Sequence, residues 1–180
     1  MAPTAQVGAR EVDHPPELSA DSYRAVMAMM PTAIAVLAAR TREREPVGLL
    51  IQALVSLSVD PPRLLVSVSE TSRTLLHLLG GGFFSVNVLS QSGLELSSRF
   101  ASRAEDKFAG IGWTSSGPGH DVPILTDGVS VTIVCAIEEV LSRHDHSIIV
   151  GEVLDAWSSD AEPLVYHGRG FRQLALRTTD

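Results

Sequence analysis

The chain has 180 residues, 44% of them hydrophobic, and sets 14 Lys and Arg against 21 Asp and Glu for a formal net charge of -7. An acidic chain with no basic cluster is a poor partner for nucleic acid or an anionic membrane surface, and no run is long and apolar enough to read as a membrane span. A single cysteine, Cys135, excludes an internal disulfide, and Met1 to Pro16 holds no apolar segment of the signal-peptide kind, so a reducing cytoplasm is expected.

In chain order, residues 1–18 are polar, contain Pro3, Pro15 and Pro16 and show no period; they read as a flexible arm ahead of a single domain over residues 19–180. Ser19 is placed to cap a helix from Ala20 to about Met29, with Tyr23, Val26, Met27 and Met30 on one face, and Pro31 ends it. Thr32 to Ala39 reads as a buried strand, and the charged segment Arg40 to Glu45 as a hairpin turn. Val47 to Val68 then gives two runs rich in Val, Leu and Ile around Asp60-Pro61-Pro62. Two prolines there withdraw backbone donors and fix φ, which predicts strand, corner, strand. In the first run Gln52, Ser56 and Ser58 fall on one face of a strand and Leu49, Ile51 and Ala53 on the other, a face along which a small ligand can lie.

Thr71 or Ser72 caps a helix from Arg73 to Leu79, with Leu75, Leu76, Leu78 and Leu79 turned to the core. Gly80-Gly81-Gly82 follows a helix and precedes the strand Phe83 to Leu89. A phosphate loop would precede a helix, so this triplet reads as a left-handed helix stop. Gln91 or Ser92 opens a helix to about Ala101, and Glu95, Arg99 and Arg103 suit a solvated face. Residues 104–128, punctuated by Gly110, Gly112, Gly117, Pro118, Gly119 and Pro123, form a long irregular crossing of the kind that often carries function. Val129 to Glu139, His146 to Trp157 and Pro163 to Leu176, with a turn at Gly168 to Gly170, complete a mostly β barrel with helices at its ends.

His144 and His146 stand two apart, a spacing that zinc sites use, with His120, Asp121 and His167 as the only completions; lacking a third ligand nearby, no metal is assigned. No Gly-x-Ser-x-Gly elbow and no plausible Cys-His pair supports a covalent hydrolase. Cys135 reads as a small buried hydrophobe, and Trp113 and Trp157 as a pocket lid or a contact between subunits.

Several of these segments together resemble the short-chain flavin reductases. They are Arg24-Ala25-Val26-Met27 and Pro31 to Val36; Gly48-Leu49 followed by Ser56-Leu57-Ser58-Val59-Asp60-Pro61-Pro62; Ser72-Arg73-Thr74-Leu75; Phe84 to Leu89; Lys107-Phe108-Ala109-Gly110; Asp145 to Val153; and Pro163 to Gly168. The resemblance runs from about Tyr23 to Leu174. It implies an FMN-binding split β-barrel of Greek-key type with a few peripheral helices, in a homodimer with the pocket at the subunit interface. It also implies reduction of FMN or FAD by NAD(P)H, the reduced flavin diffusing to a partner monooxygenase. Carried over residue by residue, it puts Gln52, Ala53, Ser56 and Ser58 against the flavin ring and ribityl chain, and Ser72, Thr74 and Lys107 on the phosphate side with Arg73. Asn87 and Phe108 join the cofactor set, Leu50, Val55 and Trp113 line the pocket, and His146 and Tyr166 position the nicotinamide.

This chain departs from the family pattern where small hydroxyl residues usually grip the flavin. Leu50, Gln52, Ala53 and Val55 stand there, and only Ser56 and Ser58 remain. Each lost hydroxyl bond is worth roughly 0.5 to 1.5 kcal/mol, and Gln52 can replace one because its amide both donates and accepts. Glu70, just before the phosphate-side residues, would repel a phosphate. A second reading therefore stays open: a family member without cofactor, using an aliphatic cleft for a non-redox cyclisation of a hydrophobic small-molecule substrate. A flavin-binding module without turnover is the third.

Overall fold

The computed structural model describes residues 17–174; most of the expected arm, and the last residues of the expected terminal strand, Ala175 and Leu176, lie outside them. Ser19 caps α1 (Ala20–Met27), its hydroxyl accepting from the Ser22 N–H at 3.1 Å. The helix stops two residues short of expectation, and none of its residues is buried. The expected strand after it divides into β1 (Thr32–Ala33) and β2 (Ala35–Arg40), and a hairpin leads to β3 (Pro46–Ile51). β4 (Leu54–Val59) and β5 (Pro62–Ser69) follow on either side of the proline corner. Then come α2 (Arg73–Gly81), β6 (Phe83–Leu89), a short 3-10 turn at Gln91–Gly93, and α3 (Leu94–Ala101). The crossing at 104–128 is more regular than expected, because β7 (Trp113–Ser115) and β8 (Pro123–Leu125) pair within it. β9 (Val129–Arg143) and β10 (His146–Ser158) form one long hairpin, and β11 (Val165–His167) and β12 (Gly170–Arg172) a short one.

Seven strands make one antiparallel sheet in the order β3-β2-β6-β9-β10-β5-β4. Its two edge strands, β3 and β4, are consecutive in sequence and separated only by Gln52 and Ala53. In a flat sheet those edges would stand about 29 Å apart, six spacings of about 4.8 Å. The three residue steps from Ile51 to Leu54 reach at most about 11 Å. The sheet therefore rolls back on itself until its edges meet, and the mostly β fold has the form of a split barrel.

The roll explains why the run Ile34 to Ala39 is apolar without interruption. Ala35, Leu37 and Ala39 face a core inside the barrel with Val66, Val68, Phe84, Val86 and Ile149. Ile34, Val36 and Ala38 face a second core outside it with Leu89, Phe100, Phe108, Leu125 and Leu164. A strand covered on both faces reads as a continuous hydrophobic run. Each such side chain, fully buried, contributes about 1.5–3 kcal/mol. Only Leu75 and Leu78 of α2 plug the first core; Leu76 and Leu79 are 75% and 41% exposed, since a nine-residue helix lying on a barrel end presents one stripe to it. Gly82 ends α2 with φ 73°, the left-handed stop expected of the glycine run. Gly151 sits at a register shift of β10, where a Cβ would lie 2.7 Å from the Phe84 ring and 2.9 Å from Cys135. Cys135 is fully buried, and burial pushes its thiol up to about 12.

Asp121, at φ 45°, ties the β7–β8 hairpin to β2. Arg40 donates to its carbonyl at 2.8 Å and its carboxylate at 3.0 Å, Arg44 pairs with the other carboxylate oxygen, and the Ser115 hydroxyl donates at 2.5 Å. Arg40 also lies 5.0 Å over the Trp113 ring. The Ser115 hydroxyl first, then the two guanidiniums, hold the Asp121 carboxyl below the usual carboxylate range, against the opposing effect of burial. A depressed carboxyl stabilises the fold above its unfolded-state pKa and loses that contribution as pH falls through its folded value. Asp121→Asn is expected to cost about 1–2 kcal/mol at neutral pH. Thermal melts should show the gap from the parent closing on acidification; a pH-independent gap contradicts the assignment.

Candidate cofactor site

Where β5 ends, Ser69 turns the chain: the Ser72 N–H donates to its carbonyl at 2.9 Å, and the hydroxyls of Ser69 and Thr71 bond at 3.0 Å. Ser72 is extended and starts α2, yet its hydroxyl makes no capping bond. Thr74 Oγ1, buried one residue past Arg73, donates to the Gly48 carbonyl at 3.4 Å and draws the start of α2 onto β3. Gly48 is required at that junction, for a Cβ would stand 2.9 Å from the Phe100 ring and 3.1 Å from the Leu37 carbonyl.

These elements enclose an open cavity of about 740 Å³. Its walls are Pro46 to Leu49 of β3, Thr71 to Thr74 with His77 from α2, and Ser102 to Phe108 after α3, apart from Asp106. Two cations hold the last wall in place. Arg73 donates to the Arg103 carbonyl at 3.0 Å, and Lys107 to the Phe100 carbonyl at 2.8 Å. Asp106 fixes the turn around Lys107 by accepting from the Phe108 and Ala109 N–H groups at 2.9 Å each. Phe108 closes the floor edge-on to Phe100, and Trp113 stands behind it. Burial, and then the Arg73 charge, push the Lys107 ammonium below the usual lysine range. Neither Arg73 nor Lys107 forms a salt bridge among the described residues. Two like charges sharing a partly dry cavity are relieved by an anion between them, so the donor set fits a phosphate.

The structure divides the expected site residues into groups. Ser72, Thr74, Lys107 and Phe108 line the cavity together. Gln52, Ala53, Val55 and Ser56 lie exposed along the sheet edge, with Ser58 half-buried and donating to the Pro61 carbonyl at 2.7 Å. The continuous alternation expected through this run fails: Gln52 and Ala53 are the link between two strands, and a register shift falls between Ser56 and Ser58. Leu50 packs in the second core beside Trp113 and Tyr166, so it and Trp113 back the cavity and do not line it. Asn87 is wholly buried: its amide donates to Val36 and Ser85, and its oxygen accepts from Leu125, leaving it as a bracket between strands.

Tyr166 pairs with Thr32 and stacks edge-on to Phe171, whereas His146 opens β10 on an exposed hairpin tip with its Nδ1 2.9 Å from Asp145. No hydrogen bond or ring contact joins His146 to Tyr166 among the described residues. That bond from His146 is the first cause holding the Asp145 carboxyl low. Glu70 does not face the cavity either; the Ser147 hydroxyl donates to its carboxylate at 2.7 Å and turns it toward β10. Reading the sequence missed His77, Arg103 and Glu105 as cavity residues. Only His77 carried a signal, four residues after Arg73 on one helix face. Among the described residues no three His, Cys, Asp or Glu side chains gather where they could hold a metal ion, and no helix is long and apolar enough to cross a membrane.

A rolled antiparallel sheet with an open edge strand, and a cavity whose donor set fits a phosphate, define a split barrel able to receive an anionic ligand. Residues 27–175 match the model of the flavin reductase like domain, and the chain belongs to that family. It is 33% identical over 153 residues to a flavin reductase (NADH) of Kitasatospora aureofaciens, covering 84% of this chain and 80% of the relative. It is 32% identical over 171 residues to a flavin reductase (NADPH) of Lentzea aerocolonigenes, covering 94% and 98%. The styrene monooxygenase flavin reductase of Pseudomonas putida S12 superposes with a TM-score of 0.77 at 29% identity, covering 85% of this chain and 97% of that one.

A lysine holds an anion only while protonated. Affinity of the cavity for sulfate, an anion whose own charge is constant from neutral to alkaline pH, is therefore expected to fall as pH rises through a range below that of an ordinary lysine. Lys107→Met should weaken binding about tenfold, the worth of one hydrogen bond to a charged group, and abolish that pH limb. Calorimetric titration from neutral to alkaline pH checks both; flat affinity across that range refutes the role of Lys107.

Proposed function

We propose that the chain is an NAD(P)H:flavin oxidoreductase of the cytoplasm that supplies reduced FMN or FAD to a partner monooxygenase by diffusion. One observation carries the reading: Arg73 and Lys107, without salt bridges among the described residues, share a cavity with the uncommitted Ser72 hydroxyl. The phosphate end of a flavin suits that cavity, and its ring suits the edge carrying Gln52, Ala53, Val55, Ser56 and Ser58. Relatives named as NADH and NADPH flavin reductases support the reaction class, and a neighbour named for styrene monooxygenase supports the kind of partner. The bound groups supply hydride transfer from nicotinamide to flavin; the protein's part is to bind, stack and orient them. On this reading His146 and Tyr166 position the nicotinamide.

The non-redox alternative has no observation of its own. It draws on Leu50, Ala53 and Val55 as one aliphatic cleft, and the structure separates them: Leu50 packs in a core, while Ala53 and Val55 are exposed on the edge.

A second copy of the chain is the proposed cover for that edge. Val55, Leu57 and Val59 of β4 are 56%, 51% and 86% exposed, and α1 with the turn after it adds Tyr23, Val26, Met27, Met29 and Met30, none below 38%. Monomers rarely leave so many large apolar side chains in water. Sedimentation at micromolar concentration should give a dimer, and Leu57→Glu should shift it to monomer; a monomeric parent protein ends this part of the reading.

The reaction itself is tested by following NADH and NADPH oxidation with FMN and FAD. Flavin-dependent oxidation of at least one nucleotide is expected. Protein that oxidises neither nucleotide with either flavin refutes the assignment.

A further inference from the structure

The cavity walls come entirely from β3, the start of α2 and the loop after α3, the elements that the flavin-reductase reading puts at the phosphate end. Leu49 is the last β3 residue to reach it, and none of Leu50, Gln52, Ala53, Val55, Ser56 or Ser58 lines it. With the ring on the β4 edge, about 740 Å³ remains for what lies at and past the first phosphate. That is the size of a site for a whole small ligand, since such pockets hold about 300–1,000 Å³. A mononucleotide ends at its phosphate, so FMN would use Arg73 and Lys107 and leave the rest to water.

The remaining lining has a chemistry of its own. Arg103 adds a third cation beyond the Arg73 and Lys107 pair, His77 adds an imidazole, and Glu105 adds a carboxylate. A carboxylate is unfavourable beside a terminal phosphate dianion, which carries its charge on one group. It is useful beside an adenosine, whose ribose hydroxyls and exocyclic amine donate hydrogen bonds that a carboxylate accepts. A guanidinium plane stacks on an aromatic base, and spaced cations suit a diphosphate, whose two charges sit on separate phosphorus centres.

We infer that this cavity takes the adenosine diphosphate half of FAD, so that the enzyme selects FAD over FMN. The inference rests on the flavin-reductase reading and deepens it. The same moiety occurs in the nicotinamide cofactors, and the test separates the two sources.

Equilibrium titration of the full chain with FAD and with FMN, followed by flavin fluorescence, is run without nicotinamide on the parent protein and on Arg103→Ala and Glu105→Ala. FAD is expected to bind at least tenfold tighter than FMN, and each substitution should cut that preference about five- to tenfold. Both side chains are on an exposed loop, so the fold survives their loss. Equal affinity for the two flavins, with flavin-dependent turnover intact, overturns the inference and leaves the reductase reading standing. A raised KM for NADH or NADPH in the variants, with the FAD:FMN ratio unmoved, gives the cavity to the nicotinamide cofactor and overturns it as well. Binding of neither flavin ends both readings.

Discussion

The two-residue link between β3 and β4 is the constraint on which the architecture depends. Strands at opposite edges of a seven-stranded sheet are joined by Gln52 and Ala53, so the sheet must curl, and the curl produces an inside and an outside core. It also leaves the seam where the edges approach without a β3–β4 ladder. The proposed flavin edge is that seam. A closed ladder would have used the backbone groups of β4 for pairing; a split one leaves its outer edge free for a ligand or a second subunit.

The cavity depends on the same geometry one step removed. Because β3 is an edge, its first half is free to be covered by α2 and by the loop after α3, and Thr74, Arg73 and Lys107 fasten those covers by bonding to backbone carbonyls. Carbonyl partners hold the cations in place without neutralising them. A carboxylate would have secured the loop equally well and removed the electrostatic reason for an anion to enter. Glu105 shares the lining yet forms no salt bridge with either cation among the described residues, and Ser147 draws Glu70 away toward β10.

Local patterns were legible in the sequence where one element decides its own shape. The Ser19 cap, the Asp60-Pro61-Pro62 corner, the Gly82 stop and the strand Phe83–Leu89 all depend on residues within a few positions of one another. The failures came where distant segments decide. Alternation from Val47 to Val59 looks unbroken until one knows that its halves belong to opposite edges of a sheet. Asn87 has the polarity of a ligand-binding residue, yet its three bonds run to Val36, Ser85 and Leu125. Arg103 is exposed, as its charged surroundings imply, but its place in the cavity lining was not legible, because Arg73, 30 positions earlier, sets where its backbone sits. Fold and family were thus readable from motif order, while the membership of the cavity was not.

The uneven lining of the proposed site bears on what a reductase of this kind must do. On the proposed ring side, Ala53 and Val55 stand where the resemblance implies hydroxyls, and each absent bond removes roughly 0.5 to 1.5 kcal/mol of grip. On the phosphate side, two cations each offer hydrogen bonds worth roughly 1.5 to 3 kcal/mol to a charged group. On the proposed reading, affinity is shifted to the end of the flavin that does not change during reduction. A protein that grips the ring through many bonds tailored to one redox state retards release of the other. One that grips the invariant phosphates and leaves the ring on an open edge treats both states nearly alike, so the reduced flavin leaves as readily as the oxidised flavin enters. That asymmetry is what a donor of diffusible reduced flavin requires, and a flavoenzyme that keeps its cofactor would have little use for it.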